Sequence, residues 1–166
     1  MKLLIAIPAL NEEGSIGEVI QQCLAAREHI IQTSPVEAVD ITVVSDGSTD
    51  GTLAIALRFR PEIHVIAFAR NRGYGAAILE AWRQSDADLL GFLDADGTCD
   101  PRYFGPFCRT LIDANVDVVL GNRLARGTRM PAVRQLGNWL FGGLLSLLSS
   151  ARVQDTASGM RVVRRT

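Results

Sequence analysis

Two carboxylates two residues apart follow a buried apolar run in the middle of the chain. The run is Asp88–Leu93, and Asp94 and Asp96 come directly after it. Alternate residues of an extended chain point the same way, so two such anions repel each other unless a cation lies between them. Mg²⁺ and Mn²⁺ suit this role because they bind carboxylate oxygens and keep positions open for water and phosphates. The pair therefore indicates a metal and diphosphate site, with a solvated acidic turn as the alternative.

Apolar strands and amphipathic helices alternate on both sides of this pair. Runs such as 41–44 and 89–93 are apolar at consecutive positions, which is typical of parallel strands covered on both faces. The pattern predicts an α/β fold with a Rossmann-like, mostly parallel sheet and helices on both faces. Polar clusters follow the strands, at the edge where such sheets bind ligands. We expect strands over Leu3–Pro8, Asp40–Ser45, Ile63–Phe68, Asp88–Leu93 and Asp117–Leu120, and helices over Ser15–Ile31, Thr49–Arg58, Gly75–Ser85 and Pro101–Ala114.

Length and composition predict one globular domain over residues 1–166. A chain of this length can bury a sizeable core, and 48% hydrophobic with 21% charged residues exclude a disordered chain. Three cysteines without Cys-x-x-Cys spacing and two histidines form no zinc pattern. The unpaired cysteines suit a reducing compartment, and the short apolar run 3–8 predicts a first strand rather than a signal peptide.

Charge is distributed unevenly along the chain. Residues 123–166 carry eight arginines against one acid, Asp155, a net +7, whereas residues 1–122 carry −8. We expect this basic part to face phosphates or an anionic membrane surface. Nucleic acid is not expected, because few aromatic residues lie between the basic ones. Lys2 is the only lysine, which excludes a Walker-type lysine, a Schiff-base lysine and the lysine of a receiver domain.

The region after residue 120 departs from the alternating pattern. The apolar stretch Trp139–Leu148 is shorter than the ~20 residues that span a bilayer. The sequence of this stretch fits both a core helix and an interfacial helix, and it does not decide between them. No element is assigned to Val162–Arg165, where the chain stops without a helix cap or polar tail. We expect a longer protein, with membrane helices downstream as one option.

The segment Gly73–Ile78 imitates a dinucleotide-binding fingerprint. Its third position is Ile78 rather than glycine or alanine, and four residues separate the strand from Gly73. NAD binding is therefore not favoured. We interpret Gly73 and Gly75 as residues that let loop and helix pack closely beside a substrate.

Six motifs in order resemble the family-two glycosyltransferases, and specifically the polyprenyl-phosphate (dolichyl-phosphate) mannose or glucose synthases. The resemblance spans residues 3–165 and implies a single GT-A catalytic domain, with 123–166 as its acceptor and membrane-facing part. It implies inverting transfer of a hexose from a GDP- or UDP-hexose to a polyprenyl phosphate. It also implies a cytoplasmic protein, peripheral on or tethered to the inner membrane face. The motifs are Ile7–Glu13, Val44–Thr52, Asn71–Gly75, Asp94–Gly97, Gly121–Arg123 and Asp155–Arg161.

The resemblance implies roles for the residues of the donor side. Asp46 would accept a hydrogen bond from the nucleobase, and Asp94 and Asp96 would hold Mg²⁺ or Mn²⁺, which stabilises the charge of the leaving group. The nucleotide sugar as a whole would contact Pro8, Leu10, Glu12, Asp46, Asp94 and Ala95.

On the acceptor side, the resemblance implies that Arg123 and Arg134 bind the acceptor phosphate. Arginine suits this role because its planar fork binds phosphate bidentately. Asp155 and Arg161 match the catalytic, acceptor-side motif. A phosphate monoester with a second pKa of about 6 is already nucleophilic near neutral pH, so Asp155 either acts as a base or orients Arg161 or the sugar.

Several alternatives stay open from the sequence. A sugar hydroxyl as acceptor would need a true base. A sugar nucleotidyltransferase would carry a glycine-rich N-terminal loop with an arginine, where this chain has Pro8–Asn11. A receiver-like binding domain is disfavoured because no lysine follows Lys2. Ser45 and Met160 depart from the common pattern, so the nucleotide and the sugar stay undecided, as does assembly into a homo-oligomer.

Overall fold

The computed structural model describes residues 1–121 and 159–165 of the chain. The strands are β1 (Lys2–Ala9), β2 (Ala38–Asp46), β3 (His64–Phe68), β4 (Leu89–Leu93), β5 (Val118–Leu120) and β6 (Met160–Arg164). The helices are α1 (Ile16–Thr33), α2 (Thr52–Leu57), α3 (Tyr74–Arg83) and α4 (Phe104–Asp113), and a short 3-10 helix, Pro101–Tyr103, leads into α4. None of the helices in this described part is long and apolar enough to cross a membrane.

The six strands of the described residues form one sheet in the order β3-β2-β1-β4-β6-β5. β1 is parallel to β2 and to β4, and β2 is parallel to β3. β6 runs antiparallel between β4 and β5. The predicted α/β fold with a mostly parallel sheet is confirmed. The sequence assigned no element to Val162–Arg165, and of these residues Val162, Val163 and Arg164 belong to the strand β6, which is inserted beside β4.

Helices cover both faces of the sheet, as predicted. The central strand β1 is buried on both sides: Leu3, Ile5 and Ile7 pack in the larger core with α1 and α4. The alternate residues Leu4 and Ala6 pack in a second core with α3. Two-sided burial explains why this strand is apolar at consecutive positions.

The order of the strands places a topological switch point beside β1. The chain winds from β1 to β2 and β3 on one side, and then crosses back to β4 on the other. Ligands of open α/β sheets bind where the carboxyl ends of strands meet at such a point. The loops after β1, β2 and β4 are the ones that meet here.

The loop after β1 is hydrogen-bonded to the loop after β2. The Thr49 N–H donates to Asn11 Oδ1 at 2.9 Å, and the Gly51 N–H donates to Glu13 Oε2 at 2.8 Å. These bonds keep 49–51 out of the helix, so α2 begins at Thr52, three residues later than predicted. Asn11 and Glu13, which belong to a predicted motif, therefore serve to join two loops.

Arg165 joins the end of β6 to the end of α3. Its guanidinium donates to the carbonyl oxygens of Ala87, Trp82 and Ser85, at 2.6, 2.9 and 2.8 Å. Carbonyls at the end of a helix lack helical partners, and a cation is favoured beside them. Arg164 also donates inward, to the Leu111 carbonyl at 3.4 Å. The expectation that the basic part faces phosphates or a membrane therefore needs correction for these two arginines.

The Arg165→Ala variant is expected to lower the free energy of unfolding by about 2 kcal/mol, because hydrogen bonds to a charged group contribute about 1.5–3 kcal/mol. Arg83→Ala is the control: its side chain is 72% exposed and, among the described residues, pairs with Glu80 alone, at 3.2 Å, so the variant should cost about 0.2–0.5 kcal/mol. Urea titrations with unchanged m values give both numbers. Equal losses in the two variants would contradict this role of Arg165.

Candidate functional site

A cavity of ≈ 240 Å³ lies at the carboxyl ends of β1, β2 and β4. All the residues that the sequence assigned to the nucleotide sugar or the metal line it: Pro8, Leu10, Glu12, Asp46, Asp94, Ala95 and Asp96. Ala9, Asn71 and Tyr74 complete the lining. The structure thus brings these residues together in one cavity.

A larger groove, of ≈ 360 Å³, opens at the opposite end of the sheet. Its lining includes Lys2, whose ammonium group contacts Asp40 at 3.1 Å and Asp86 at 2.8 Å. These charged groups are engaged with one another in ion pairs, and no predicted motif reaches the groove. The smaller cavity is therefore the candidate site, because of the residues that line it rather than because of its volume.

The end of β1 supplies an apolar side chain and a carboxylate to the cavity. Leu10 is 41% exposed, and an exposed leucine in a cavity offers a surface to the flat face of a base or sugar ring. Glu12 is fixed at both ends: its N–H donates to Thr52 Oγ1 at 2.8 Å, and Ser15 Oγ donates to its Oε2 at 2.9 Å. Glu12 is thereby oriented before any ligand binds.

Asp46 is 3% exposed and ends β2 beneath the cavity. Its Oδ1 accepts a hydrogen bond from the Arg72 N–H at 2.7 Å, and its Oδ2 accepts one from the Gly73 N–H at 2.9 Å. Asp46 therefore fixes the loop that precedes α3. Each carboxylate oxygen has a second lone pair, so this contact leaves acceptor capacity for the predicted bond to a nucleobase.

Glycine is required beside Asp46. Gly47 has a φ of +73°, which side chains disfavour, and a Cβ there would overlap the backbone of Arg70 and Asn71. Gly73 is also left-handed, with a φ of +96°, but a Cβ at Gly73 or Gly75 would meet nothing within 4 Å. The interpretation of these last two glycines as close-packing residues is therefore wrong. Gly73 serves the turn into α3.

Asp94 and Asp96 follow β4 and differ in how they are held. Asp96 is exposed, and its Oδ1 accepts hydrogen bonds within its own turn, from Thr98 N at 3.0 Å and Thr98 Oγ1 at 2.7 Å. Asp94 is half-buried, and its N–H donates to the Gly159 carbonyl at 3.0 Å. Both carboxylates line the same cavity.

The donor set of this pair fits a hard divalent cation. Carboxylate oxygens are the ligands that Mg²⁺ and Mn²⁺ prefer. Within 1–121 and 159–165, no three His, Cys, Asp or Glu side chains come together to enclose a metal ion. Mg²⁺ takes octahedral coordination, so a cation held by Asp94 and Asp96 would have further positions for water and phosphate oxygens.

A family model described as glycosyl transferase family 2 matches residues 4–166. The chain belongs to glycosyl transferase family 2. This confirms the resemblance found in the sequence, and it separates the chain from nucleotidyltransferases and receiver domains.

Two curated relatives of this family-2 chain come from Haloferax volcanii. It is 31% identical to a low-salt glycan biosynthesis hexosyltransferase, Agl6, over 98% of this chain and 38% of the relative. It is 33% identical to a dolichyl-phosphate hexose transferase, over 98% of this chain and 66% of the relative. The chain thus spans between about a third and two thirds of the length of these relatives.

A solved structure shares the fold. Glucosyl-3-phosphoglycerate synthase from Mycobacterium tuberculosis, in complex with Mn²⁺, UDP-glucose and phosphoglyceric acid, superposes with a TM-score of 0.70 at 21% identity. The match covers 98% of this chain and 56% of the synthase. The fold is of the GT-A type, as the resemblance implied.

Tyr74 lines the cavity, although no role was assigned to it from the sequence. It begins α3, and its hydroxyl donates a hydrogen bond to Asp94 Oδ1. Its ring stands edge-on to Phe92, with centroids 5.9 Å apart and an interplanar angle of 90°. Burial, and then the hydrogen bond to Asp94, raise the pKa of Tyr74 far above its usual range, so the hydroxyl stays a donor. In the sequence, the position of Tyr74 between Gly73 and Gly75 of the motif Asn71–Gly75 was the feature that could have identified it.

Arg161, one of the two residues predicted to be catalytic, lies on β6 opposite Phe92. Its guanidinium carbon is 5.4 Å from the centre of the Phe92 ring, within the range of a cation–π contact. Arg161 thus stands beside the cavity without lining it. Asp155, Arg123 and Arg134 lie outside the described residues.

Proposed function

We propose that this family-2 glycosyltransferase moves a hexose from a nucleotide-diphospho-sugar to a polyprenyl phosphate, with inversion at the anomeric carbon. One observation carries the proposal: the carboxylate pair and the residues expected to bind the nucleotide line a single cavity at the switch point. The name of the dolichyl-phosphate hexose transferase supports a lipid phosphate as the acceptor. The UDP-glucose complex of the synthase supports a nucleotide sugar as the donor.

The electrostatics of the cavity support a role for a divalent cation. Four carboxylates line it, from Glu12, Asp46, Asp94 and Asp96, and a diphosphate would be repelled by them. Asp94 and Asp96 would hold Mg²⁺ or Mn²⁺, which stabilises the charge that develops on the leaving diphosphate. The Mn²⁺ named in the synthase complex supports the same choice.

The donor would lie between the ends of β1 and β2. Leu10 offers an apolar surface to a ring, and Asp46 fixes the loop that carries Asn71 into the cavity. Glu12 is oriented by Thr52 and Ser15, so it can accept hydrogen bonds from ribose hydroxyls. Binding groups that are oriented in advance lower the entropic cost of holding the donor.

The acceptor phosphate would supply its own nucleophile. A phosphate oxygen attacks the anomeric carbon, a new C–O bond forms, and the bond to the diphosphate breaks, so that the nucleoside diphosphate leaves. With a second pKa of about 6, the phosphate needs no base near neutral pH. Arg123 and Arg134 would bind this phosphate, and Asp155 would orient Arg161. Such an acceptor places the reaction at a membrane surface, which we propose to be the cytoplasmic face.

Ligand-dependent melting and turnover of the purified chain test the function. We expect UDP or GDP, with its matching sugar nucleotide, to raise the melting temperature in Mn²⁺ or Mg²⁺ and not in EDTA. A ligand at 100 times its dissociation constant adds about 2.7 kcal/mol of stability. With labelled sugar nucleotide, label should pass to a polyprenyl phosphate and not to an oligosaccharide. Transfer to the oligosaccharide alone would refute the lipid acceptor, and no response to any sugar nucleotide would refute the function.

A further inference from the structure

Asp94 is contacted on three sides by groups from two separate elements. The Tyr74 hydroxyl donates to its Oδ1, and its backbone N–H donates to the Gly159 carbonyl at 3.0 Å. Its Oδ2 lies directly against Gly159, so close that a Cβ on that glycine would overlap Oδ2 and the carboxyl carbon. The direction of this carboxylate is therefore fixed by its neighbours.

Both neighbours stand on rigid parts of the fold. Gly159 immediately precedes β6, where Met160 pairs with Leu93 of β4, and the Gly121 N–H donates to the Met160 carbonyl at 3.1 Å. Tyr74 is held through its ring, which stands edge-on to Phe92, a side chain that is 5% exposed. Both supports are thus joined to β4, Gly159 through the strand pairing and Tyr74 through the ring contact.

The second carboxylate of the pair, Asp96, is held differently. Asp96 is exposed, and within the described residues its Oδ1 accepts hydrogen bonds from the N–H and the hydroxyl of Thr98, in its own turn. Asp94, whose carboxylate is held by other elements, and Asp96, which is held within its own turn, thus line the same cavity. Groups that hydrogen-bond to a metal-binding side chain, without binding the metal themselves, orient that side chain. Their removal typically lowers metal affinity about 10- to 100-fold.

We propose that Tyr74 and Gly159 are positioning residues for Asp94, which hold one of its oxygens toward a divalent cation. Tyr74 acts through its hydroxyl on Oδ1, and Gly159 acts by leaving room for Oδ2. The inference rests on the proposed function, because it concerns the cation that would bridge the carboxylates and the diphosphate of the donor. It adds two residues that the sequence had not connected with the cation.

Direct titration of Mn²⁺ by electron paramagnetic resonance tests the inference, with the nucleoside diphosphate present. For Tyr74→Phe, which keeps the ring against Phe92, we expect the dissociation constant of Mn²⁺ to rise about 10- to 100-fold. Tyr103→Phe is the matched control, since Tyr103 is 59% exposed and lies outside the cavity. Gly159→Ala should weaken Mn²⁺ at least as much, whereas Gly75→Ala, which adds its methyl group to open space, should not.

A second measurement separates positioning from general damage. Binding of the free nucleoside in EDTA should be the same in wild type and in both test variants, because it does not involve the cation. Unchanged Mn²⁺ affinity in Tyr74→Phe would overturn the positioning role of Tyr74. Unchanged Mn²⁺ affinity in Gly159→Ala would overturn the positioning role of Gly159. Equal weakening of the free nucleoside and Mn²⁺ would also overturn the proposal. If the wild type itself binds no Mn²⁺, the metal part of the proposed function fails, and the inference fails with it.

Discussion

Replacing Asp94 and Asp96 together by asparagine is expected to lower the rate of hexosyl transfer by about 10³-fold. A metal that stabilises a developing charge contributes several kcal/mol to the barrier, and each 1.36 kcal/mol is a factor of ten in rate. Asparagine has the shape of aspartate and keeps one oxygen acceptor, so the turn at Thr98 and the bond from Tyr74 can persist. The loss would then reflect the missing charges rather than a missing fold.

The matched control for this variant lies in the same loop. Asp100→Asn makes the same substitution at a carboxylate that pairs with Arg102 at 2.6 Å and does not line the cavity. It should transfer sugar at the rate of the wild type. Single-turnover rates measured with and without EDTA complete the test. EDTA should reduce the wild type to the level of the double variant and leave the double variant unchanged. A double variant that keeps its rate, or a wild type indifferent to EDTA, would rule out a metal at these residues.

The sequence could predict the parallel part of the fold because its signals are local. Strands buried on both faces are apolar at consecutive positions, and all five predicted strands are present. β6 could not be predicted in this way. Its sequence, Met160–Arg164, mixes valines with arginines, and Val162 is buried because β6 pairs between β4 and β5 and packs in the core that α4 covers. Its existence depends on pairing partners that are distant in the chain, which a local pattern does not encode.

The composition of the site was predictable for a topological reason. Residues that follow parallel strands must gather at one edge of the sheet, so Glu12, Asp46 and Asp94 were expected together and line one cavity. The interactions among side chains were not predictable. The assignment of Asn11 and Glu13 to loop joining, and of Tyr74 to Asp94, depends on distances between loops that only the folded chain defines.

Charge counting was the least specific signal. A net charge of +7 over residues 123–166 treated every arginine as available to a partner. Arg165 instead donates to three carbonyls at the end of α3 and at the start of β4, and Arg164 donates to one at the end of α4. Guanidinium groups have five donors and satisfy carbonyls within a fold as readily as they bind external phosphates. A count of charges does not distinguish these two uses.

Asp46→Asn is expected to weaken binding of the nucleotide about 10- to 150-fold. The carboxylate accepts at both oxygens, from the N–H groups of Arg72 and Gly73. Asparagine can accept at one end only, and its amide would turn a donor toward the other N–H. Loss of a charge-assisted bond of this kind costs about 1.5–3 kcal/mol, which corresponds to that change in affinity. The loop that carries Asn71 into the cavity would no longer be fixed.

Hydrogen exchange separates this loop effect from a direct contact with the base. In Asp46→Asn, the amides of Arg72 and Gly73 should lose protection in the absence of nucleotide, since their acceptor is altered before any ligand binds. Asp40→Asn is the control, as it makes the same change on β2 at a carboxylate whose ion pair is with Lys2, 3.1 Å away. It should change neither exchange at these amides nor nucleotide affinity. If Asp46→Asn weakens the nucleotide while both amides stay protected, the residue acts by accepting a bond from the base, and the loop is held by other contacts.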